Sequence, residues 1–127
     1  MKKLLLILAL AVMCNSVARA EHFDDIDDGI EAYLKRDYAT ALKLFRPLAE
    51  QGYASAQHSL GVMYANGEGV TQNYVLAHSW FNLAASNRSE KGSKNRDKVS
   101  ALMTASQISE AQDMVRGCLK KNYKNCE

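Results

Sequence analysis

Apolar residues recur every three or four positions along most of this chain, a spacing that predicts helices. A first helix is expected over about Asp25–Arg36, with Ile26, Ile30, Tyr33 and Leu34 on one face. Asp37 is placed to cap a second, which presents Tyr38, Ala41, Leu42, Leu44, Phe45 and Leu48. Pro47 lies inside that pattern and removes one backbone donor, so a kink or an end to the regular helix is expected there. Gly52 stops it. A third helix is expected over about Ala54–Ala65, with Leu60, Gly61 and Tyr64 inward. Asn66-Gly67-Glu68-Gly69 is a turn signal. Thr71 or Asn73 then starts a fourth helix with Tyr74, Ala77, Trp80, Phe81, Ala84 and Ala85 inward.

The periodicity fades over 87–98, a polar and charged stretch, and resumes at Val99, Leu102 and Met103, where a fifth helix is expected. Thr104 and Gln107 have the spacing of a capping box. They open a sixth helix carrying Ile108, Ala111, Val115 and Leu119. With one proline and no long alternating run, the chain offers no strands.

The pattern also repeats. Residues 37–49, DYATALKLFRPLA, return in outline 36 positions later as 73–85, NYVLAHSWFNLAA. Tyr38 answers Tyr74, Ala41 answers Ala77, Phe45 answers Phe81 and Ala49 answers Ala85, while Trp80 stands in place of Leu44. A fixed offset in the thirties marks stacked helix pairs. Gly61 lowers helix propensity by about 1 kcal/mol relative to alanine, so close approach of a neighbouring helix is the best reason for it. Together these observations predict an all-α fold, a short α-solenoid of antiparallel helix pairs with about six helices.

Residues 1–20 stand apart from this pattern. Lys2 and Lys3 precede an apolar run, Leu4–Cys14, and Ala18-Arg19-Ala20 precedes Glu21. That is the layout of a secretory signal peptide cleaved between Ala20 and Glu21. The apolar run is too short to span a bilayer. Lipid anchoring at Cys14 is the alternative, for which Met13 is a poor neighbour. The remaining 21–127 form one helical domain: a degenerate repeat 29–52, a full repeat 54–88 and a C-terminal cap 89–127. Losing Lys2, Lys3 and Arg19 takes the basic residues from 16 to 13 against 14 acidic ones, a net charge of −1. No nucleic-acid footprint is expected from that balance. Six acids between Glu21 and Glu31 favour a helix start, and Lys120, Lys121 and Lys124 a helix end. The acidic cluster as a docking patch is the sharper alternative.

Cys118 and Cys126 remain after cleavage, and an even pair in an exported protein reads as a disulfide. Eight helical steps of ~1.5 Å would hold their Cα atoms ~12 Å apart. A disulfide needs less than ~7 Å. The last helix must therefore end between them, near Asn122, and the chain must fold back. A loop this short is worth roughly 2–3 kcal/mol. A C-x7-C metal site is the weaker alternative, since no His or further Cys is near in sequence.

The stretch Ala54–Ala85, ASAQHSLGVMYANGEGVTQNYVLAHSWFNLAA, resembles the Sel-1-like repeat, a relative of the tetratricopeptide repeat. The residues that carry the resemblance include Leu60, Gly61, Tyr64, Gly67, Gly69, Val70, Tyr74, Ala77, Trp80, Ala84 and Ala85. The segment Gly29–Gly52 looks like a worn partner repeat with a shorter turn. The resemblance implies a stack of helix pairs whose concave face binds an unidentified protein or peptide. It also implies an envelope or host-interaction role, either periplasmic or secreted. It brings no catalytic residue and no cofactor, and assigns no partner-binding residue.

Candidate chemistry adds little. S-x-x-K, S-D-N and K-T-G, H-E-x-x-H and the Walker A pattern do not occur. Gly67-Glu68-Gly69 lacks the third glycine and preceding strand of a phosphate loop. His58 and His78 lack an obvious third metal ligand, which favours hydrogen bonding between helices. Ser79 and His78 are adjacent on a helix and point apart. The expected function is thus an exported interaction module without catalytic activity. An envelope enzyme or β-lactam binder of the cysteine-rich repeat type is one alternative. A structural stub that self-associates weakly rather than staying monomeric is another.

Overall fold

Four helix starts in this chain, at Asp37, Asn73, Ser89 and Thr104, use a side chain to satisfy one of the helix's first free N–H groups. Asp37 accepts from the Thr40 N–H at 3.2 Å and from the Thr40 hydroxyl at 2.7 Å. Asn73 accepts from the Leu76 N–H, Ser89 from the Gly92 N–H, and Thr104 and Gln107 complete the capping box. The computed structural model describes residues 22–127; the expected signal segment and its cleavage point at Ala20 and Glu21 lie outside the described residues.

The helices are α1 (22–34), α2 (Tyr38–Glu50), α3 (Ala54–Asn66), α4 (Tyr74–Ser86), α5 (Glu90–Ser100) and α6 (Ala105–Lys120). Among the described residues there is no strand, and no helix is long and apolar enough to cross a membrane. Helix α2 packs on α3, α3 on α4, and α4 on both α5 and α6. The chain is a short α-solenoid of antiparallel helix pairs. Its core runs through Phe45, Leu48, Leu60, Met63, Trp80, Phe81 and Leu83.

Glycines set the closest helix approaches. A Cβ on Gly61 would lie 2.5 Å from the Phe81 ring, and one on Gly29 would lie 2.6 Å from the Phe45 ring. Both repeats therefore use one joint, with a glycine of the first helix under a phenylalanine of the second. Real Cβ atoms do not approach so closely, and close-packed interiors have no slack to absorb the extra carbon.

Three expectations need correction. The fifth helix occupies Glu90–Ser100, the polar stretch, and Leu102 and Met103 follow it. Helix α5 buries only Gly92 and Val99; capping by Ser89, the Glu90–Lys94 pair at 2.9 Å and the Arg96 bond to Asn82 at 3.1 Å support the rest. The buried face of α1 is Ile26, Gly29 and Ala32, leaving Ile30 and Leu34 at 42% and 75% exposure. Finally, of the two outcomes expected at Pro47, the helix end is the one excluded: α2 continues through Pro47 to Glu50. Pro47 and Lys43, whose carbonyl loses its donor, are both exposed, so water can replace the missing bond.

Helix α6 ends at Lys120, and Asn122, Tyr123 and Asn125 turn the chain back with φ of 52°, 65° and 52°. Cys118 and Cys126 are joined, with 4.8 Å between their Cα atoms.

Candidate functional site

Helices α1, α3 and α5 are the first members of their pairs, and two adjoining depressions lie along them. One, of about 250 Å³, lies between α1 and α3 and is lined by Ile30, Tyr33, Phe45, His58, Ser59 and Val62. The other, of about 310 Å³, is bordered by Val62, Ala65, Tyr74, Phe81, Asn95, Lys98, Val99 and Leu102. Val62 borders both, so the two depressions meet at this residue and are together called the groove. Its rim includes Ile30 and Leu102, the latter 64% exposed.

Asn66 and Lys98 give one end of the groove a polar edge, and nearer its middle His58 and Asn95 hold each other. The His58 ring tilts against Phe81 with centroids 5.6 Å apart, and its Nε2 lies 2.9 Å from the Asn95 amide nitrogen. Burial lowers the His58 pKa, and Lys91 lowers it further. Both effects favour the neutral ring, whose Nε2 then accepts from the Asn95 amide. Concave and mostly apolar, the groove suits an inserted side chain or short segment.

A second cluster lies where the segment after α6 crosses α4 and reaches α2. The Glu127 side chain accepts from Arg46 Nη1 at 2.6 Å, from the Tyr64 hydroxyl at 2.5 Å and from Trp80 Nε1 at 3.1 Å. Arg46 Nη2 donates to the Tyr64 oxygen at 3.1 Å. Tyr64 and Trp80 are 5% and 3% exposed. Burial, with the bond to Glu127 and its charge, pushes the Tyr64 pKa up to about 12, against the pull of Arg46. Tyr64 therefore stays protonated and donates.

Nearby, the fully buried Gln57 donates to the Ala49 carbonyl at 3.1 Å and accepts from Asn87 at 3.0 Å. Asn87 meets the Tyr123 hydroxyl at 3.3 Å. This chain of polar contacts ties α2, α3 and the end of α4 to the returning segment.

The remaining repeat residues are packing elements. Leu60, Gly61, Ala77 and Ala84 are buried, and Val70, Tyr74 and Ala85 are partly so. Gly67 closes α3 with φ 68°. A Cβ on Gly69, whose φ is 72°, would lie 2.7 Å from the Tyr38 Cβ. His78 is buried, with Nδ1 unpartnered. No group of three His, Cys, Asp or Glu among the described residues could hold a metal.

Sequence reasoning missed Arg46 and Glu127. They are 81 positions apart, and only the chain reversal brings them together. One faint signal exists in the echo, where Arg46 stands opposite Asn82.

The Sel1 repeat family matches residues 27–53 and 54–89. An exopolysaccharide production negative regulator of Rhizobium leguminosarum bv. viciae is 33% identical over 73 residues, 58% of this chain and 27% of the regulator. A crystal structure of a protective antigen present in uropathogenic Escherichia coli strains, displaying an SLR fold, superposes with a TM-score of 0.73 at 30% identity. The superposition covers 87% of this chain and 25% of the antigen. This chain thus spans about a quarter of the length of each of these relatives. Two tandem matches, the superposition and the glycine–phenylalanine joint in each repeat all agree: the chain belongs to the Sel1-like repeat family.

Proposed function

We propose that this chain is an exported protein-interaction module of the bacterial envelope, without catalytic activity of its own. Its α1–α3–α5 groove receives a segment of a partner protein. The observation that carries the reading is the groove itself, apolar along Val62, edged by Ile30 and Leu102, and built on a repeat fold typical of interaction scaffolds. Export is supported by the layout of Lys2–Ala20 and by the Cys118–Cys126 disulfide, a bond favoured in oxidising compartments.

Two measurements test this. Mass spectrometry of the protein recovered from a bacterial host should find Glu21 as its first residue, outside the cytoplasm; an intact Met1 in the cytosol would reject export. Crosslinking in envelope extract should yield a discrete partner with the wild type and lose it with Val62→Lys, which places a charge in the groove. Equal yields from both proteins would place the partner elsewhere.

A further inference from the structure

Three donors from three different helices converge on one carboxylate: Arg46 of α2, Tyr64 of α3 and Trp80 of α4. None belongs to the segment that supplies the acid. The cradle is therefore built by the repeat core and not by the segment that fills it. Buried Trp N–H and Tyr O–H groups call for a partner, and a carboxylate is a strong one. A small cavity of about 150 Å³ adjoins it, lined by Arg46, Glu50, Trp80, Asn125, Cys126 and Glu127.

The occupant is held from outside the cradle. Asn122, Tyr123 and Asn125 all have left-handed backbone, a conformation that asparagine tolerates and tyrosine resists. The Cys118–Cys126 bond closes this reversal directly beside Glu127. Tethering makes Glu127 an intramolecular ligand, so an external acid competes with a high effective concentration.

We propose that Arg46, Tyr64 and Trp80 form a binding site for an acidic side chain of a partner peptide, occupied by Glu127 in the disulfide-bonded chain and opened when Cys118–Cys126 is reduced. The reductant is a dithiol. Its two thiols become a disulfide, the Cys118–Cys126 S–S bond breaks, and each cysteine gains one electron and one proton. The site is separate from the α1–α3–α5 groove and stands whether or not that groove binds a partner.

Trp80 is the single tryptophan of the chain, so its fluorescence reports on the cradle directly. The probes are acetate and the blocked peptide acetyl-Asn-Ser-Glu-amide, at constant ionic strength set with chloride. Reduced wild type and oxidised Glu127→Ala should both give saturable changes with the peptide. Their affinity should exceed that of the oxidised wild type by about tenfold or more. Arg46→Met added to Glu127→Ala should abolish the response. Circular dichroism melts confirm that each variant is folded.

No saturable response in folded Glu127→Ala would overturn the site. A response unchanged by Arg46→Met would do the same. Equal peptide affinity in oxidised and reduced wild type would overturn the latch. Acetate binding without peptide binding would overturn the peptide as ligand.

Discussion

The two repeats share a joint and differ in what surrounds it. In the first, Gly29 lies under Phe45 and the link to α2 is short, closed by Asp37. In the second, Gly61 lies under Phe81 and the link is a longer loop through Gly67 and Gly69. The echo position carries Leu44, partly exposed, in one repeat and Trp80, buried and donating to Glu127, in the other. Two positions on, Arg46 reaches Glu127, whereas Asn82 accepts from Arg96. The common joint is what folding requires. The differences are where each repeat meets its own neighbour, and the carboxylate cradle takes one residue from each of those two positions.

The largest effect should come from the shared joint. Phe81→Ala should cost about 3–5 kcal/mol in urea unfolding. Phe45→Ala should cost less, because α1 and α2 are the outer pair and can settle into the gap. Equal losses would show that the repeats are energetically interchangeable.

Next is the cap on the second repeat. Cys118→Ser with Cys126→Ser should lower stability by roughly 2–3 kcal/mol. A loss much smaller than this would mean that Tyr123 and Glu127 hold the segment unaided.

The glycine itself comes third. Gly61→Ala gains helix propensity but drives a carbon into the Phe81 ring, with an overpacking cost of about 1–3 kcal/mol. Gly29→Ala should be milder, since the outer helix can move. A stabilised Gly61→Ala protein would break the packing argument.

The smallest effect is acid sensitivity. Burial lowers the pKa of both His58 and His78 below 6.5; Lys91 adds to this at His58, and Arg96 does so at His78 while Asp97 opposes it. The unfolded chain then binds more protons than the folded one as pH falls below that value, so stability is complete above it and declines beneath it. The urea midpoint should drop between pH ~7.5 and ~5.5, and His58→Gln with His78→Gln should flatten the drop. A midpoint independent of pH in the wild type would contradict the buried, neutral histidines.

Much of the architecture was legible because local periodicity encodes it. The repeat offset, the Thr104 capping box and the end of α6 before Cys126 all follow from spacing. Helix α5 was not legible, because a glycine and a valine seven positions apart bury its face and nothing apolar lies between them. On α1 the apolar pattern points to Ile26, Ile30, Tyr33 and Leu34; Ile26 and Tyr33 do face inward, but Gly29 and Ala32, the small residues that the close approach selects, take the places of Ile30 and Leu34. In the groove, Tyr33 and Phe81 were readable as aromatic positions, but the pairing of His58 with Asn95 depends on where α5 lies. The cradle needs three helices and a reversed segment at once, and no sequence period carries that.

Gly69 has a consequence for the order of assembly. The loop of the second repeat rests on Tyr38 and Leu42 of the first. During synthesis, the outer surface of α2 stays open until the ribosome has released residue 69 and beyond. The first repeat is made first but covered later, by a unit downstream of it. A nascent chain stalled before that loop would expose Tyr38 and Leu42, so it is the earlier repeat that a chaperone would meet.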